Sequence, residues 1–274
     1  MRFRDLTSLE SFRKVVELEK VVWGYTDSED VVPVPILAVT VKRGGILVGA
    51  FDECDEMVGF VYSMPAVKSG RPTQWSHMLG VVESARNAGT GHLLKLEQRQ
   101  RALAMGIELI EWTYDPLQAL NAHLNFRKLG IVVGEYEENI YGESSSPLHR
   151  GNPTDRFVAE WWVRSPHVER RLSGSRPGGH AAEIEQAASV NKTRRADGWL
   201  ECESSDLSLA NARLGVEIPI GFSEMLIRRP DLALAWRIET RKIFTHYFAR
   251  GYRAVEFFLD REKGRGTYLL TSEK

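Results

Sequence analysis

The stretch Met78-Leu79-Gly80-Val81-Val82-Glu83-Ser84-Ala85-Arg86-Asn87-Ala88-Gly89-Thr90-Gly91 constrains this chain more than any other. It leaves an apolar run, passes through a polar turn and opens a long amphipathic segment. That is a strand, a turn and the N-terminus of a helix. The first turn of a helix carries N–H groups without partners inside the helix, and a partial positive charge. Glycines at 89 and 91 let the backbone approach a bulky anion, so a pyrophosphate can collect several N–H bonds at once. Arg86 adds a formal charge at the turn, with His92 and Lys95 close by in sequence. A Walker P-loop is excluded, because no Gly-Lys-Ser/Thr ends the motif. The three-glycine dinucleotide fingerprint is absent too, and the strand follows a long hairpin rather than starting a βαβ unit.

The surroundings extend this pattern. Leu9, Phe12, Val15, Val16 and Leu18 recur at helical spacing, with Thr7 or Ser8 as cap and Gly24 as stop. A second short helix starts near Pro33 and ends at Gly44-Gly45. Ile46 to Phe51 and Met57 to Met64 read as a hairpin, Lys68 to Thr73 as a loop, and Trp75 to Val82 as the next strand. The helix after Gly91 carries Leu93, Leu94, Leu96, Leu103 and Met105, and is expected to expose Lys95, Glu97, Arg99 and Arg101. Then follow a strand at 107–114, a helix at 117–129 and strands at 131–141 and 157–163. Strands alternating with helices predict a mixed α/β sheet.

From 164 to 197 Gly, Ser, Pro, Arg and Ala dominate, which reads as a linker with a short helix at 181–188. Beyond it come a strand at 213–218, an amphipathic helix capped by Asp231 and running to about 250, and strands at 252–259 and 267–271. The expected organisation is a first domain at 1–165 and, at 166–274, a linker plus a strand-helix-strand-strand domain. At 274 residues and a formal net charge of −1, the chain has no global basic bias toward nucleic acid. No apolar run reaches the roughly 20 residues that span a bilayer. Cys54 and Cys202 match no metal spacing, so neither a metal nor a disulfide is expected and a cytoplasmic location is.

With these elements in place, the sequence resembles the GNAT superfamily, the GCN5-related N-acyltransferases. Arg86, Gly89 and Gly91 match the signature Arg/Gln-x-x-Gly-x-Gly/Ala after the fourth strand, and Val81 stands five residues ahead. Asn125-Phe126-Arg127-Lys128-Leu129-Gly130 resembles the segment Leu-Tyr-x-Lys-x-Gly-Phe. Asp115-Pro116-Leu117, Asn139-Ile140-Tyr141-Gly142 and Asp155-Arg156-Phe157 are similar to a subgroup of predicted acetyltransferases with a C-terminal extension. Some of that subgroup are linked to N-succinylamino acid racemase pathways. The resemblance covers roughly residues 1–165. It implies a mostly antiparallel central sheet flanked by helices, with a smaller C-terminal α/β extension. It also implies acetyl-CoA or succinyl-CoA as co-substrate, a small-molecule amine, in particular an amino acid, as acceptor, and a homodimer.

By the same resemblance, the backbone of Leu79 and Val81 binds pantetheine. Arg86, Asn87, Ala88, Gly89, Thr90, Gly91 and His92 hold the pyrophosphate, and Asn121 hydrogen-bonds pantetheine. The catalytic candidates are His77, Glu111 and Tyr141. An imidazole with a reference pKa near 6.5 suits deprotonation of an ammonium; Glu111 and Glu83 are the alternative bases. The family's frequent general-acid tyrosine aligns with Phe126, which has no proton to give, so Tyr141 or Tyr114 would have to serve. That departure keeps two other functions open: a CoA-binding sensor or assembly module without catalysis, and a protein acetyltransferase. In the plain reading, a strand histidine is a hydrogen-bonded core residue, and Arg237, Arg241 and Lys242 form a solvated helix face.

Overall fold

The computed structural model describes residues 1–25, 30–86, 88–142, 151–174, 184 and 186–273. It is a mixed α/β protein whose contacts divide it into two compact units. One is Met1–Trp112 with Trp162–Arg164; the other is Thr113–Glu143, His149–Trp161 and Ser165–Lys274. The division differs from the expected boundary at 165.

In the first unit the strands β1 (Arg2–Asp5), β2 (Ile46–Phe51), β3 (Met57–Lys68), β4 (Arg71–Val81) and β5 (Leu109–Tyr114, its last two residues in the other unit) lie in that order. The pairs β1–β2, β2–β3 and β3–β4 are antiparallel and β4–β5 is parallel. Helix α1 (Leu9–Trp23) starts at a capping box between Ser8 and Ser11 and stops at Gly24 in the left-handed region (φ 67°). Helix α2 is Val34–Lys42 and α3 is Thr90–Ala104. Leu6, Phe12, Val15, Leu37, Leu47, Phe60, Tyr62 and Met78 join in one apolar cluster that mounts α1 and α2 on the β2–β4 surface. The expected loop at 68–73 is instead a tight hairpin: Ser69 and Gly70 turn with positive φ, and Lys68 pairs directly with Arg71.

The second unit holds α4 (Ala119–His123), which widens into a π-turn at Leu124–Leu129. Strands β6 (Val132–Glu137) and β7 (Arg156–Trp162) follow, then α5 (Pro166–Leu172), β8 (Ala188–Ser189) and the β9–β10 hairpin (Asn191–Ala196, Trp199–Ser205). The chain closes with β11 (Arg213–Pro219), α6 (Phe222–Arg228), α7 (Pro230–Ala249), β12 (Arg253–Asp260) and β13 (Arg265–Thr271). The ladder runs β7-β6-β12-β13-β11-β8, with β6–β12 meeting at Val133 and Ala254. The 164–197 stretch is thus partly structured; residues 181–183 and 185 of its expected helix lie outside the described residues. A cluster of rings fills the core: Phe157 meets Phe244 at 4.6 Å, and Tyr268 meets Phe257 at 4.6 Å and Phe126 at 5.8 Å. Among the described residues no helix is long and apolar enough to cross a membrane. None of their His, Cys, Asp and Glu side chains gather in a group of three or more fit to hold a metal ion. Both cysteines are free thiols.

Candidate active site

Strand β4 organises the first unit's site. It pairs with β3 over its whole length, but its ladder with β5 holds only two residue pairs, Gln74–Ile110 and Trp75–Glu111. From Ser76 to Val81, β4 therefore continues without β5 alongside, and alternate residues turn their N–H and C=O groups to the side β5 has left. The separation starts where the β3–β4 register slips: Tyr62 faces Met78 and Ser63 faces Ser76, so His77 is an extra residue. A bulge of this kind bends its strand and re-aims a side chain.

The two faces of the free segment differ. On one side, a Cβ at Gly91 of α3 would lie 3.8 Å from Leu79 and 4.0 Å from Val81. On the other side, Gly80 lets the Trp23 ring rest on the strand, where a Cβ would come within 2.9 Å of it. Trp23 stacks on Tyr25 at 6.1 Å and meets Phe60 edge-on. The His77 ring is accessible to solvent and stands edge-on to Tyr62 at 6.1 Å. Desolvation by the surrounding chain lowers its pKa from 6.5, so the neutral imidazole predominates at pH 7.

After Val81 a single 3₁₀ turn (Glu83–Ala85) leads to Arg86, whose Nε donates to the carbonyl of Val81 at 3.0 Å. That bond uses one of the five guanidinium N–H donors and fixes the side chain at the turn. Ala88 and Gly89 are exposed, and Gly89 takes φ +81° as N-cap of α3 with nothing within 4 Å of its Cβ position. The Thr90 hydroxyl donates back to Ala85 at 3.2 Å and is buried. No side chain caps α3, so the first-turn N–H groups stay available to an anion. His92 is half-buried in that turn, and Asn87 lies outside the described residues. A free strand edge, close glycines, an uncapped helix start and a tethered arginine together fit a pantetheine arm followed by a pyrophosphate.

The other sequence candidates are placed differently. Glu111 is buried and its carboxylate accepts from Lys68 Nζ at 2.6 Å, so it serves as the partner of a cation rather than as a free base. In the second unit Asn121 is exposed on α4. Tyr141 is not on a strand, since β6 stops at Glu137. It stands exposed in the following turn, with its hydroxyl 2.6 Å from Thr113 Oγ1 and its ring 5.5 Å from the Arg156 guanidinium. Phe126 is wholly buried in the ring cluster. Tyr114 is buried as well, and burial holds its pKa well above 10.

Three features escaped sequence reading. Lys95, expected on the exposed face of α3, is buried, with Nζ donating to Gln98 Oε1 (2.7 Å) and Ser76 Oγ (3.2 Å) and lying 3.6 Å above the Trp112 ring. Arg237, expected on a solvated face, is buried and makes a two-pronged bond to Asp115 at 2.8 and 2.7 Å, while Arg241 grips Asp155 in the same manner. Burial pushes the Asp115 carboxyl up, but the guanidinium of Arg237, helped by Arg156, outweighs it and holds the group below 3.8. Glu19 is fully buried; one oxygen accepts from Val32 N at 2.8 Å and the other has no hydrogen bond.

No protein-family description and no curated protein sequence matches the chain. Solved structures do. An acetyltransferase-like protein from Acinetobacter baylyi ADP1 superposes with a TM-score of 0.50 at 16% identity, over 60% of this chain and 93% of its own. An acetyltransferase of the GNAT family from Streptococcus pneumoniae gives 0.46 at 17% identity, over 58% and 97%. The ribosomal-protein-S18-alanine N-acetyltransferase from Escherichia coli gives 0.47 at 11%, over 59% and 93%. Over that share of its length, the chain has the fold of the Acinetobacter baylyi protein.

Proposed function

We propose that the protein is an acyl-CoA-dependent N-acyltransferase that moves an acetyl or succinyl group to the amine of a small molecule, with an amino acid as the favoured acceptor. One observation carries this reading: β4 leaves β5 at the His77 bulge, and its free edge leads straight to the Gly89–Gly91 start of α3. Acyl-CoA supplies a thioester carbonyl open to attack by an amine. The backbone of Leu79 and Val81 holds the pantetheine arm by strand-like pairing. Arg86, Ala88, Gly89, Thr90, Gly91 and His92 form the anion turn. Asn121 is a further proposed contact to pantetheine.

His77 is the proposed general base. It sits at the bulge, reaches solvent, and its lowered pKa keeps it in the proton-accepting form at neutral pH. Backbone N–H groups on the free edge of β4 are suited to the developing oxyanion. Tyr141 is the phenol that the resemblance suggests as donor to the departing thiolate; its hydroxyl lies 2.6 Å from Thr113 Oγ1. Calorimetric titration with CoA tests the reading, and absence of binding at millimolar ligand would sink it.

The burial of Phe126 favours a second reading, a CoA-binding sensor or assembly module without turnover. Release of free thiol from an acyl-CoA, measured over a panel of amines, separates the two: sustained release removes the sensor. Comparing free amino acids with peptides as acceptors distinguishes a small-molecule enzyme from a protein acetyltransferase.

A further inference from the structure

Resting on the base proposed above, we infer that Gln98 of α3 is a positioning residue: by holding Ser76 it keeps the β3–β4 bulge at His77 and so sets where the imidazole stands. At the bulge β3 advances one residue while β4 advances two. Successive β3 residues alternate between the faces of the sheet, and a β4 residue shares the face of the β3 residue opposite it. Ser63 thus puts Ser76 on one face. It is the α3 face, because Ser76 Oγ accepts from Gln98 Nε2 at 3.0 Å. Tyr62 puts Met78 on the other face, in the apolar cluster with residues of α1 and α2. His77 lies between the two, opposite no residue of β3.

Two slips of one residue would move His77. In the first, His77 stands opposite Ser63 on the α3 face and Ser76 becomes the extra residue. That breaks the Ser76–Gln98 bond inside the protein, where Ser76 is 6% exposed and Gln98 not at all. In the second, His77 stands opposite Tyr62, and Met78 leaves the apolar cluster. Apolar packing blocks the second slip; hydrogen bonds block the first. Gln98 Oε1 accepts from Lys95 Nζ at 2.7 Å, and Lys95 Nζ also donates to Ser76 Oγ at 3.2 Å, so three bonds close a triangle between α3 and β4. The Gln98 amide fits it in one orientation only, with oxygen toward Lys95 and nitrogen toward the hydroxyl. An apolar contact tolerates sliding, whereas a satisfied buried polar network specifies one arrangement. The same helix comes close to β4 at Gly91, where a Cβ would lie 3.8 Å from Leu79. From Gly91 to Gln98 the helix rises about 10.5 Å, which matches roughly 10 Å from Leu79 to Ser76 along the strand. The helix that starts at the anion turn therefore spans His77 and holds β4 on both sides of it.

The experiment is NMR titration of the His77 ring in the full chain, run beside thiol release from acetyl-CoA and succinyl-CoA over a panel of amines. Gln98→Leu and Ser76→Ala are expected to move the His77 midpoint up toward 6.5, as the ring leaves the surroundings that desolvate it. Both should lower kcat about 10-fold to 100-fold, the scale of a small misplacement of a reacting group, with KM for the acyl-CoA close to the parent's. Ser76→Thr keeps the hydroxyl and should hold the parent midpoint. An unchanged midpoint in Ser76→Ala, which removes one buried oxygen and keeps a small residue on β4, overturns the inference even if Gln98→Leu does not fold. If the unaltered chain releases no thiol, the acyltransferase reading falls, and the midpoints still decide whether Gln98 and Ser76 place His77.

Discussion

Gly89 and Gly91 look equivalent in the sequence, yet the structure gives them different tasks. Gly89 needs φ +81°, where a side chain costs roughly 1–2 kcal/mol. Gly91 has no positive φ, and a Cβ there would meet Leu79 at 3.8 Å, an ordinary van der Waals contact. Gly89→Ala should therefore lower the melting temperature and weaken CoA binding, while Gly91→Ala should leave both close to the parent; thermal melts with and without CoA decide. The proposal of His77 as base starts from residue type alone; the bulge at that position is not legible in the sequence, because a register slip is a property of two strands. Its lowered pKa sets a sign. The neutral form is the base, so kcat/KM for the acceptor should rise with pH only below 6.5, with no His77 limb above it. His77→Gln should remove that limb and cost about 10²-fold to 10⁴-fold. A limb centred well above pH 7 that survives His77→Gln would assign the base to another group.

At the scale of elements, the legible features were those written in local chemistry. The Ser8 cap, the Gly24 stop and the strand 46–51 all rest on signals within a few residues. Lys95 is buried although Leu93, Leu94, Leu96, Leu103 and Met105 mark a different face of α3 as the inner one. The buried stripe is Thr90, Leu94, Lys95, Gln98 and Ala102, a 3.6-residue period whose middle is polar because it faces Ser76. Glu19 shows the same limit on α1, where a buried carboxylate ties the helix to the segment entering α2 through Val32. Burial raises its pKa from 4.5 to about 7, the Val32 bond only partly offsetting it. The folded state then holds a proton that the unfolded chain has released between those values, so stability falls as pH rises from 4.5 to 7 and levels off above. The shift corresponds to at most about 3 kcal/mol. Glu19→Gln keeps an acceptor for Val32 and removes the charge, so denaturant unfolding should show it more stable than the parent at pH 8 and nearly equal to it at pH 4.5. Equal stabilities at pH 8 would show that Glu19 is not desolvated in the fold.

For the whole molecule, the expected boundary at 165 followed composition, and composition does change there. Compactness follows contacts instead. Asp115 and Arg237 lie far apart in sequence and form a buried pair in one unit; Val133 of β6 pairs with Ala254 of β12; Phe126 packs on Tyr268. None of these could be read from local signals, since each joins residues more than a hundred positions apart. Removing one partner of a buried ion pair leaves an uncompensated charge and typically costs 3–5 kcal/mol, while replacing both by apolar groups is far milder. Arg237→Met is therefore expected to lower unfolding stability by about that amount, and Asp115→Leu combined with it to recover most of the loss. The same contacts decide what a truncation does. A chain ending at Arg164 keeps β6, β7 and Phe126 but loses β12, β13, α7 and Tyr268, which form the other half of their core. Its residues 113–161 should then be cleaved rapidly by a low dose of protease while the full chain resists. A truncated chain that resists as well as its parent would show that 1–164 folds on its own, and that the aromatic core binds together segments that do not need each other.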